Sequence, residues 1–458
     1  MAVTTPSVDE AQPGGPAVSV SQAPWPTAGQ SYYTVFMLGL ALMFAEIDRG
    51  AMSLLIQPIK QAFHLSDSWI GFLLGPAFAT FYAVCGLSTA WLIDRRNRKL
   101  VLAWALGLWS AAALLSGLAQ NTIQLGLARL LLGAAEAPNG PAIFSIISDS
   151  FPRKHLTRGI SLMQLGAVVG NGFSLIMTGV LIALLVHVPD QHLGGLVIRW
   201  WQLVFILLGA PGLLVAVILG TTVREPARHG VVTSSSYSML QALAYMVRKW
   251  KVFGPFMGSA AIGGLGFGVI AWQAAFFQRT YGWAPSKVGV ITGIAGLVAT
   301  PLGLLLGTWA YERFVKQGRR DAAMRVVLLG RLIAMPAALA LPLMPTGELA
   351  VGLVCINLLV LGATGASNNS ILQIISPNQM RGQITAIFFL FFTLVGQGLS
   401  PWFIGLATDL ILKDESKLRY ALLGAGLLFS PASLFVLWLG RKPYAREVEL
   451  IEAAEAAA

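Results

Sequence analysis

Residues 69–99 read WIGFLLGPAFATFYAVCGLSTAWLIDRRNRK. The first twenty-four, 69–92, carry no charge, and five of the six residues 94–99 do. An uncharged run of that length suits a helix crossing a hydrocarbon core about 30 Å thick. The basic cluster behind it is what pins a helix end to one side of a membrane. The pattern recurs along the whole chain. Twelve apolar runs lie at 33–57, 69–92, 100–118, 124–147, 159–186, 200–222, 252–278, 286–310, 324–344, 349–374, 382–408 and 418–439. With 56% hydrophobic and 11% charged residues, a soluble domain is excluded. The expected fold is an all-α integral membrane protein of twelve transmembrane helices, and its class a channel, a transporter or an embedded enzyme.

The net charge of +11 is a topology signal. With the N-terminus inside and the gaps assigned alternately, 21 of the 31 basic residues fall inside and seven outside, while Arg49, Arg129 and Arg331 fall within spans. That bias follows the positive-inside rule, so both termini are expected in the cytoplasm and no nucleic-acid partner is expected. Residues 1–31 lack Lys and Arg and are rich in Pro, Ser, Ala and Gly. They read as a disordered cytoplasmic tail rather than a signal peptide. Cys85 and Cys355 lie inside spans and imply no disulfide or metal framework. The lack of a targeting segment suggests a bacterial inner membrane, and a monomer is the default.

The gap over 224–251 separates two six-helix bundles, 32–223 and 252–440, and a cytoplasmic tail follows over 441–458. Within the gap, Thr-Ser-Ser-Ser at 233–236 precedes a mixed apolar and basic stretch from Met239 to Lys251. It reads as a linker with an interfacial amphipathic helix, or as a solvated loop. The halves resemble each other. Leu-Gly-Ala-Ala-Glu-Ala-Pro-Asn-Gly starts at Leu132 in span four, and Leu-Gly-Ala-Thr-Gly-Ala-Ser-Asn-Asn at Leu361 in span ten. Both run on to Ile-Ile-Ser and to an Arg-Gly pair, Arg158-Gly159 and Arg381-Gly382. Parallel six-helix repeats with a site near the midplane are a transporter architecture, pseudo-symmetric about an axis along the membrane normal.

These motifs resemble the major facilitator superfamily (MFS). The loop Ala90-Trp-Leu-Ile-Asp94-Arg95-Arg-Asn-Arg98-Lys99 is similar to its loop signature, with Ala90 and Asn97 where Gly is usual. Tyr311-Glu312-Arg313 with Arg319-Arg320 is a weaker copy, and Arg129 with Gly133 matches the Arg-x-x-x-Gly pattern of the fourth helix. Asp48-Arg49, Arg129 with Gly133-Ala-Ala-Glu136, and Arg224-Glu225-Pro226 are most similar to the Spinster-like group, transporters of lysolipids and sphingolipids. Glu136-Ala137-Pro138 with the first-helix Asp-Arg also resembles the organic-anion:cation symporters. The resemblance implies a secondary transporter working by alternating access, with Asp94, Arg95 and Arg98 as an inter-helix latch in a gating role. The Spinster-like resemblance implies an amphipathic or lipid-like cargo; the alternative, an organic-anion:cation symporter, implies a sugar acid or carboxylate.

Ionisable side chains inside spans are costly, and those retained face a cavity or a partner. Glu46 and Arg49 are three apart on one helical face, and Arg129 and Glu136 are seven apart. Spans one and four are therefore expected to meet, with Asp48, Arg49, Arg129 and Glu136 in one network. A carboxylate that changes solvation and cationic partners takes up and releases a proton, so the proton is the expected coupling ion. Asp48 is the first candidate to carry it and Glu136 the second; a permanent packing pair is the alternative. No other cofactor is called for. Arg331 is expected to snorkel to the membrane edge.

Cargo contacts are expected from Glu46, Asn139, Asn171, Gln273, Trp272, Asn368 and Asn369, with Gln164, Gln373 and Gln397 and aromatics such as Phe276, Phe277, Phe388 and Phe391 nearby. Each of these also suits plain helix packing. Polar groups beside aromatics fit an amphipathic small molecule with an anionic head. Membrane lipid is the other expected partner. The five histidines lie in loops without metal or triad spacing, so neither a metal site nor an enzyme is expected.

Overall fold

The computed structural model describes residues 24–193, 195–228, 238–377 and 380–457. Among the described residues there are twelve membrane-length helical segments. Eleven are long and apolar enough by length and composition to cross a membrane. Span one, Ala28–Leu54, is outside that set, and its apolar run is diluted by Glu46, Asp48 and Arg49. The fold is the twelve-helix one expected, in two six-helix halves.

Several boundaries shift. Span one starts at Ala28, inside the expected tail, because Thr27 and Gln30 close a capping box there. It ends at Leu54 rather than 57, and a short amphipathic helix, Ile56–Phe63, follows. The last span continues as one helix, Leu418–Ala457, through most of the expected C-terminal tail. Met239–Arg248 forms the amphipathic helix of the linker and buries Ala242 and Met246. The Thr-Ser-Ser-Ser stretch and residues 1–23 lie outside the described residues.

Breaks in the spans mark where backbone chemistry is exposed. Span four divides into Thr122–Glu136 and Asn139–Ser150 around Pro138, whose ring removes a helical donor and clashes with the preceding turn. Span seven divides into Trp250–Leu265 and Gly268–Tyr281. Ser400 of span eleven patches that break, accepting from the Gly268 N–H and donating to the Leu265 carbonyl. Irregular backbone at membrane depth needs such partners.

Helices of opposite halves approach through glycine. Span five, Arg153–Leu185, meets span eight, Pro285–Lys316, at Gly172 and Gly179 against Gly293 and Gly289. A Cβ on Gly172 would come within 2.7 Å of the Gly293 carbonyl, and one on Gly289 within 2.6 Å of that of Leu175. Small residues at such crossings let backbones pack where lipid supplies no hydrophobic drive.

The apolar core is in three parts. One, with Leu54, Ile70, Trp201, Trp272, Phe276, Ile404 and Leu422, draws on both halves at the face opposite the basic loops. The other two lie toward the basic face. One is built from first-half residues such as Leu38, Trp109 and Ile146, the other from second-half residues such as Phe256, Met324 and Ile384. The halves are thus welded at one face and separately packed at the other.

Candidate substrate and coupling site

Span one presents its charges to two different environments. Arg49 Nη1 lies 3.1 Å from Glu46 Oε1, as the three-residue spacing requires. Arg49 Nη2 also donates to Glu136 Oε1 at the Pro138 break of span four, and the guanidinium lies 5.5 Å above the Phe78 ring. The Arg49 side chain is 41% exposed and that of Glu46 22%. Glu136 is buried, and its Oε2 has no hydrogen-bond partner. Asn171 Nδ2 lies 3.4 Å from Glu46 Oε2. Glu46, Arg49, Glu136 and Asn171 form one cluster reached by solvent.

Asp48 points elsewhere. Its carboxylate takes two bonds from Arg129, at 2.6 and 3.1 Å, while Ser116 Oγ accepts from Arg129 Nη2 at 2.6 Å. Phe205 lies 5.5 Å below the same guanidinium. Both side chains are at most 5% exposed. The void beside them is about 10 Å³, room for one water at most. Spans one and four do meet, but the expected single network is two ion pairs. Arg129 and Glu136 stand about 10 Å apart along span four, and the turn between Asp48 and Arg49 aims them at different neighbours.

The face opposite the basic loops is closed by a second set of charges. Asp67, fully buried, accepts from Arg279 at 2.6 and 2.8 Å and from Lys60 at 2.8 Å. Lys60 also pairs with Glu415, and Arg279 reaches Gln57 at 3.1 Å. Asp409 of span eleven accepts from the N–H groups of Asp67 and Ser68 at 3.2 and 2.6 Å. Each bond of Arg279 to Asp67 or Gln57 joins one half to the other. By contrast, three ion-pair groups at the basic face each stay with one half: Arg98 with Asp149 and Glu225, Lys249 with Glu447, and Asp321 with Arg441. These ties close the face opposite the basic loops, while Arg49 stays exposed.

The other expected site residues divide. Asn369 is exposed on span ten, Asn368 and Gln273 are half-buried, and Asn139 is buried just past the Pro138 break. Trp272 is not a cavity residue: it is fully buried and donates to the Pro401 carbonyl at 2.9 Å. Phe276 and Phe277 are likewise core residues at the closed face. Arg95 is exposed at the basic end of span two, and the side chain of Asp94 lies outside the described residues. Arg98 is 1% exposed and clamps the first half, donating to Glu225 at 2.7 Å, Ser145 Oγ at 3.0 Å and the Pro226 carbonyl at 2.9 Å. Arg331 does not snorkel. It turns inward and donates to the hydroxyls of Ser259 and Ser433, tying spans seven, nine and twelve. Asp67, Arg279, Lys60 and Glu415 carry no sequence motif that marks a site. Their signal was opposite charges at neighbouring ends of different spans.

A family model described as Major Facilitator Superfamily matches residues 38–401. An MFS-type efflux pump of Mycolicibacterium smegmatis is 26% identical over 431 residues, covering 92% of this chain and 94% of the pump. A probable L-galactonate transporter of Escherichia coli is 22% identical over 425 residues, with 89% of each chain covered. Among solved structures, a bacterial homolog to the human lysosomal transporter Spinster, inward-facing and unoccupied, superposes with a TM-score of 0.74 at 24% identity. That match covers 93% of this chain and 98% of the homolog.

Proposed function

The chain belongs to the Major Facilitator Superfamily, and on that premise we propose that it is a proton-coupled transporter of amphipathic, anionic-headed small molecules. The basic face is taken as cytoplasmic by the positive-inside rule, which makes this conformation inward-facing. The observation that carries the reading is Arg49, exposed at mid-membrane between Glu136 and Glu46. A cargo phosphate or carboxylate competes with Glu136 for the same guanidinium. When the cargo wins, the buried Glu136 carboxylate is left without its cation and takes a proton. Cargo and proton then favour each other's binding, and linkage makes that preference reciprocal. Glu136 is the better proton carrier on this geometry; the sealed Asp48–Arg129 pair acts in packing. Closing the basic face and parting the opposite one, where Arg279 leaves Asp67, completes alternating access.

The cargo class separates two readings. The motif resemblance to the Spinster-like group and the Phe78 ring beside Arg49 favour a lipid-like molecule. The galactonate transporter's likeness favours a sugar acid. Proteoliposomes given labelled lysophospholipid or labelled galactonate, with and without an inward proton gradient, distinguish them. The expected result is gradient-stimulated movement of the lysophospholipid. Movement of galactonate alone overturns the lipid reading and leaves the anion symporter.

A further inference from the structure

A groove of about 600 Å³ runs between spans nine and twelve, on second-half residues alone and apart from the cluster around Arg49. Arg325, Leu332 and Met335 line one wall at helical spacing, and Phe435, Trp438 and Arg441 the other. Leu332, Phe435 and Trp438 are each more than half exposed, and the two aromatic rings stack at 6.2 Å. From Arg325 to Met335 is ten residues, about 15 Å of helix rise. That is half of a hydrocarbon core about 30 Å thick, so the groove spans one leaflet. Both arginines stand at its basic end.

The arginines are organised by one carboxylate. Asp321 accepts from Arg325 Nε at 2.6 Å and from Arg441 Nε at 2.6 Å. Among the described residues, the Nη groups of both meet no further acceptor. Burial works against the Asp321 carboxylate, but hydrogen bonds and charge from Arg325 and Arg441 outweigh it and hold its pKa below the ordinary range. A carboxyl lowered by folding loses its stabilising ionisation only as pH falls through the folded value. At neutral pH the triad therefore carries one net positive charge, with two planar forks free to meet an anion.

We propose that this groove binds an anionic phospholipid of the cytoplasmic leaflet, its phosphate on the Arg325 and Arg441 forks and its acyl chains along the apolar walls. Basic pockets between helices on the cytoplasmic side recognise lipid head groups in this way, and a Trp near the interface anchors such a site. The test is native mass spectrometry of the full chain in detergent with phosphatidylglycerol or phosphatidylcholine of identical acyl chains. Wild type should retain phosphatidylglycerol about fivefold better per arginine engaged, from roughly 1 kcal/mol each. Arg441→Gln should weaken phosphatidylglycerol more than phosphatidylcholine, which shares the phosphate but adds a cationic choline, so the preference falls by about that factor. Leu332→Trp, at a position 53% exposed in the groove, should lower retention of both lipids. Equal retention of the two lipids by wild type, or a preference that survives Arg441→Gln, overturns the head-group site. Unchanged retention in Leu332→Trp overturns the groove.

Discussion

Asp48→Ala is expected to destabilise the protein by about 3–5 kcal/mol, because it leaves a buried guanidinium without its counter-ion. Arg129 is 4% exposed, and what remains to it is one Ser116 hydroxyl and the face of Phe205. Thermal unfolding of the purified protein in detergent reads the loss directly. Asp48→Leu combined with Arg129→Met should recover most of it, since well-packed apolar pairs of similar volume often match a buried ion pair. That pairing separates a structural pair from a transport group. If Asp48→Ala unfolds like wild type, the pair does not hold spans one and four together and its assignment to packing fails.

Arg279→Gln is expected to shift the balance between conformations by about a hundredfold. Arg279 gives the buried Asp67 two charge-assisted bonds across the halves, each contributing about 1.5–3 kcal/mol. Losing about 3 kcal/mol from one state alone moves a two-state equilibrium by about two powers of ten. Spin labels at Gln61→Cys and Ser416→Cys, with Cys85 and Cys355 replaced by Ala, report the separation at the closed face. Wild type should give one short distance and Arg279→Gln a second, longer population. An unchanged distribution means the charges at that face do not hold it shut.

The spans were legible because a bilayer imposes a length, and the chain meets it with long uncharged runs. Their approximate ends and the two halves were legible from the basic loops. The break beside Glu136 is written as Pro138. The pairing of Glu46 with Arg49 follows from three-residue spacing alone. Less was legible where helices are apolar all round, since such a helix does not reveal which face is inward. Sequence alone therefore places Trp272 and Phe276 beside the cargo, whereas both are buried at the closed face. The division of the four charges into two pairs depends on how span one is rotated against its neighbours. The charges that close one face lay furthest from view. Lys60 and Glu415 are 355 residues apart, and only the packed halves bring them together.

The most direct test of the account is cargo-dependent proton movement in proteoliposomes, read with a pH-sensitive dye for wild type, Glu136→Gln and Asp48→Asn. The cargo is the one that the uptake assay selects, and labelled exchange of it on both sides controls for folding. The account predicts that wild type moves protons with the cargo. Glu136→Gln should exchange cargo yet move no protons and gain nothing from a gradient. Whatever Asp48→Asn protein folds should still move them. Proton movement that persists in Glu136→Gln and vanishes in Asp48→Asn would contradict the account and place coupling in the sealed pair.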